Sequence, residues 1–67
     1  MICYVTRYNP KSYQPLGEAV PVEAETKADA AEQVCGFKVA PAPPAAATVS
    51  VSCMGEKPNE RQYFRKA

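Results

Sequence analysis

The clearest period-two alternation runs through residues 48–54, TVSVSCM. Val49, Val51 and Cys53 would face a core there, and Thr48, Ser50 and Ser52 would face away. Residues 18–24, EAVPVEA, alternate in the same way, with Val20, Val22 and Ala24 on one face. Pro21 cannot donate a ladder hydrogen bond and assigns that strand to a sheet edge. Residues 2–8, ICYVTRY, are a β-branched and aromatic run, and RQYFR at 61–65 is the last strand-like segment. Between residues 18–24 and residues 48–54 the pattern changes to that of a helix.

That helix lies within residues 22–36, VEAETKADAAEQVCG. Thr26 is suited to the N-cap because its hydroxyl can accept an orphan amide of the first turn. Asp29, three residues on, completes a T-x-x-D capping pattern and puts an anion at the positive end of the helix dipole. Alanines follow, and Gly36 can adopt the left-handed conformation that ends a helix. A helix of about nine residues does not persist alone in water, so it must rest on the sheet. Ala30, Ala31 and Val34 form its inner face, with Phe37 closing one end.

The expected fold is α+β: a single domain over residues 1–67, with one four-stranded antiparallel sheet and one short helix on one face. The element order is strand-strand-helix-strand-strand, and the expected sheet order is 2-1-3-4 in chain numbering. Residues 37–39 read as a short extended piece. Residues 40–47, APAPPAAA, form a proline/alanine-rich connection that suits an extended spacer better than a ligand for a proline-binding domain.

Composition narrows the chemistry. Three cysteines, Cys3, Cys35 and Cys53, are an odd number without C-x-x-C spacing, and the chain has no histidine. A disulfide framework and a zinc site are both unfavoured, and all three thiols read as small buried hydrophobes. No catalytic residue, cofactor site or metal site is expected. Without histidine, and with the one aspartate used in the cap, no nucleophile–base pair can be assembled. Gly17, Gly36 and Gly55 are isolated turn or cap glycines rather than a phosphate loop. No run approaches the roughly 20 apolar residues of a membrane span, and no signal-peptide layout opens the chain, so the expectation is a cytoplasmic protein with no membrane partner.

Charge is uneven although the formal net charge is only +1. Glu18, Glu23, Glu25, Asp29 and Glu32 are five of the seven acids and share their stretch with one base, Lys27. Lys57, Arg61, Arg65 and Lys66 cluster late. The first expectation is an acidic side, built from the edge strand and the outer helix face, that engages a basic groove on a partner. The second places Tyr4, Tyr8 and Tyr63 with Arg61 and Arg65 on the sheet face away from the helix, as in single-strand nucleic-acid binders. Cross-strand pairing explains the same tyrosines without a ligand, and a homodimer would also use such a face.

The size, the element order and the capped helix after an acidic strand (VEAETKADAAEQV) resemble small inhibitor proteins of phages and mobile elements, in particular compact α+β anti-CRISPR proteins that bind type I surveillance complexes. The resemblance is one of layout over most of the chain and carries no site residue with it. It implies a non-enzymatic inhibitor acting on a larger protein or ribonucleoprotein complex. A second resemblance, to integrase arm-binding modules, would need three strands before the helix, and only two precede it here.

Overall fold

The computed structural model describes all 67 residues except the side chain of Pro58. Its strands are β1 (Ile2–Arg7), β2 (Val20–Glu23), β3 (Val39–Pro41), β4 (Val49–Cys53) and β5 (Gln62–Lys66), with one helix, α1 (Lys27–Cys35). All strands pair antiparallel in the order β2-β1-β4-β5-β3. The expected order is therefore present, with Pro21 at an edge, but the sheet has five strands rather than four. The added strand is β3, at the far edge, where Val39, Ala40 and Pro41 pair with Lys66, Arg65 and Phe64. Pro41 is tolerated because β3 has a ladder partner on one side only.

The connection at residues 40–47 is thus part strand. After Pro41 the chain makes a 3-10 turn over Pro44–Ala46 and enters β4 on the far side of β5. Pro44 and Ala47 line the same cavity as Tyr8, Tyr13 and Tyr63, so this crossover covers part of the sheet face away from α1. Ser50, expected on an open face, is fully buried. Its hydroxyl shares a 2.8 Å hydrogen bond with the Tyr8 hydroxyl and accepts one of 3.3 Å from Arg61 Nη1. A buried hydroxyl needs such partners to offset its lost hydration.

Helix α1 begins and ends where its caps require. Thr26 is extended (φ −133°, ψ 161°) and its Oγ1 accepts from the Asp29 amide at 3.0 Å. Gly36 takes the left-handed conformation at φ 78°, and its amide donates to the Glu32 carbonyl. The helix joins strands at opposite edges of the sheet and touches all five. Ala30 and Ala31 are buried and Val34 is partly so, against Cys3, Val5, Val49, Val51, Cys53 and Phe64. The small side chains let the helix axis lie close to the sheet. Val20, at the outer edge, and Phe37, past the helix end, both stay largely exposed.

The cysteines need correction. Cys3 and Cys53 are buried as expected, but they are bonded to each other rather than free. They lie directly opposite in the β1–β4 register, with Cα atoms 3.9 Å apart. The flanking Met54 amide donates to Ile2 O, which makes the cysteines a non-hydrogen-bonded pair, where facing side chains approach most closely. Cys35 is free and half-buried. Burial pushes its thiol above the ordinary value of 9.0, against the opposing pull of Arg7.

Candidate acidic groove and aromatic sheet face

The capping chemistry that starts α1 also places its acids. The chain leaves β2 at Glu23, turns through Ala24 and Glu25, and enters the helix after Thr26. Asp29 and Glu32 are three apart, neighbours on one helix face. Glu23, Glu25, Asp29 and Glu32 consequently line one shallow groove of about 620 Å³ between the edge strand and the helix, with Ala24 and Gln33. Gln33 Nε2 donates to the Glu23 carbonyl at 3.1 Å and ties helix to strand across the groove. Of the five acids expected to act together, Glu18 is the exception: it lies in the exposed approach to β2 and does not line the groove.

Lys27, the one base within this acidic stretch, is engaged elsewhere. Its Nζ is 2.9 Å from Glu56 Oε2 and donates to the Glu60 carbonyl at 2.6 Å. The described groove lining therefore contains no cationic side chain. Two of the acids have local partners: Glu23 meets the chain's terminal ammonium at 2.8 Å, and Glu32 accepts from the Val39 amide at 3.3 Å. Glu25 and Asp29 are both exposed. Among the described residues no three acids converge closely enough to hold a metal ion. The groove offers distributed negative charge, suited to several cationic groups rather than one ion.

On the other face, strand alternation and register bring together most of the second set. Tyr4 lies opposite Ser52, and Tyr63 opposite Ser50, which is itself opposite Thr6. Tyr8 and Arg61 reach the same surface through Ser50. Arg65 pairs with Ala40 towards the β3 edge and is exposed. Two of the five groups are thus held by an internal hydrogen-bonding site. The Ser50 site could not be read from sequence, since it depends on the 40–47 crossover closing over a strand that alternates as if one side were open.

Among the described residues no helix is long and apolar enough to cross a membrane. Comparison with protein-family models, with curated proteins and with solved structures found no match to this chain.

Proposed function

We propose that this is a non-enzymatic binding protein that presents its acidic groove to a basic surface of a larger nucleic-acid-handling complex, in the manner of a phage or mobile-element inhibitor of the anti-CRISPR kind. The observation that carries the reading is the segregation of charge: four carboxylates line one groove, while Lys27 is spent on Glu56 and Glu60. Nucleic-acid-handling proteins expose basic grooves to bind phosphates, and an acidic concavity is complementary to such a surface. A partner of that class places the protein in the cytoplasm.

A direct nucleic-acid-binding module is the second reading, favoured by Tyr4, Tyr63 and Arg61 sharing one sheet face. Against it, the Tyr8 hydroxyl and the Arg61 guanidinium are committed to Ser50. Affinity capture separates the two. The inhibitor reading expects a protein partner that is retained after nuclease treatment, kept by Glu18→Lys, and lost by Glu23→Lys with Glu25→Lys. Capture that needs Arg61 and Arg65 and disappears with nuclease would replace it with the second reading.

A further inference from the structure

A second cavity, separate from the acidic groove, lies beside the end of β1. It encloses about 350 Å³, towards the lower end of the roughly 300–1,000 Å³ typical of small-molecule sites. Tyr8, Pro10, Leu16 and Phe37 give it a largely apolar lining, and Arg7 and Lys66 contribute its two cations.

The walls are held by local chemistry. Asn9 Oδ1 accepts from the amides of Lys11 and Ser12, which curls the following loop. An isolated bridge between Tyr8 and Pro15, and a 2.8 Å bond from the Leu16 amide to the Arg7 carbonyl, fold that loop back along β1. Leu16 is thereby fixed through its backbone while 54 % of its surface stays exposed. On the facing side, Gly36 ends the helix and delivers Phe37, which is 39 % exposed and has Lys66 Nζ 5.4 Å from its ring centroid.

The electrostatics are one-sided. No carboxylate is among the described lining residues, and neither Arg7 nor Lys66 forms an ion pair among the described residues. Cys35 also lines the cavity, and burial keeps its thiol protonated at neutral pH, so it adds no negative charge. Two cations beside exposed leucine and phenylalanine fit a ligand with an anionic end and an apolar body.

We propose that this cavity is a binding site for a small carboxylate with an apolar body, the body held between Leu16 and Phe37 and the carboxylate set against Arg7 and Lys66. The charge complementarity and the small volume together favour such a ligand over a neutral one. Amide NMR titration of the whole protein with phenylpropionate, and with phenylpropanol as the neutral counterpart, tests it. The expected result is shifts confined to the amides around Arg7, Tyr8, Leu16, Cys35, Phe37 and Lys66. The acid should bind roughly fivefold more tightly than the alcohol, the difference two exposed cations can supply. Arg7→Gln with Lys66→Gln should abolish that preference, and the rest of the spectrum reports that the variant is folded. Equal binding of acid and alcohol, scattered or absent shifts, or a preference that survives the double variant would overturn the proposal. So would binding of an acidic peptide at this site without any response to phenylpropionate.

Discussion

Lys27 and Glu56 meet at 2.9 Å and tie the first turn of the helix to the turn after β4. The same carboxylate accepts from the Cys53 amide at 2.9 Å through its other oxygen. First that amide, then Lys27, hold Glu56 below its ordinary value of 4.5. The contact both fixes the helix start and engages the one lysine of the acidic stretch away from the groove.

A pH dependence follows from that depressed value. Its stabilising effect is fully present above the unfolded-state value and is lost as pH falls through the lower, folded one. Glu56→Gln should therefore be less stable than the parent at neutral pH, with the gap narrowing through the acid range. Urea midpoints measured against pH check this; a gap that widens on acidification would contradict it.

The helix caps give a second prediction. Thr26→Ala should cost about 1 kcal/mol through the lost bond to the Asp29 amide. A Cβ at Gly36 would meet nothing within 4 Å, so the cost of Gly36→Ala is backbone strain alone, roughly 1–2 kcal/mol. Denaturant unfolding of the two variants measures both. A neutral Gly36→Ala would mean that the left-handed turn is not maintained in solution.

These caps were legible in the sequence because their chemistry is local: a hydroxyl, an acid three residues on, and a glycine. The edge position of β2 was legible for the same reason, through Pro21. Strand β3 was not, because three residues with a proline carry no periodicity and acquire a ladder only beside β5. The burial of Ser50 and the pairing of Cys3 with Cys53 depend on register between segments far apart in the chain, which single-strand alternation does not report. Four groove acids were foreseeable because they flank one cap; Glu18 missed the groove because the whole of β2 separates it from the helix.

The disulfide supplies a third prediction. It closes a separation of 50 residues in a small domain whose buried core is built mainly from alanine, valine and cysteine. On chain-entropy grounds such a link contributes roughly 2–4 kcal/mol, and reduction should lower the unfolding midpoint accordingly. Thiol titration in denaturant should find one reactive group per chain, Cys35, and three after reduction. Three reactive groups without reductant would show Cys3 and Cys53 to be unbonded thiols in the purified protein. In a reducing cytoplasm the same register would leave them as a buried pair of thiols.

A fourth prediction separates the groove from overall charge. Glu18→Lys and Glu25→Lys change the net charge equally, but only Glu25 lines the groove. Exposed substitutions of this kind shift stability within about 0.5 kcal/mol, so folding will not confound the comparison. Glu25→Lys should weaken binding of a basic partner several-fold more than Glu18→Lys, as read by calorimetry. Equal losses would assign the effect to net charge.

The most direct test of the acidic groove as a binding surface is an amide NMR titration at about 0.15 M salt, where long-range attraction is largely screened, with an arginine-rich peptide and with a single-stranded oligonucleotide in parallel. The predicted result is peptide-induced shifts concentrated at residues 23–33, weakened roughly tenfold, about 1.4 kcal/mol, by Glu23→Lys with Glu25→Lys, and no response to the oligonucleotide. Submicromolar oligonucleotide binding, abolished by Arg61→Gln with Arg65→Gln and untouched by the glutamate reversals, would contradict it.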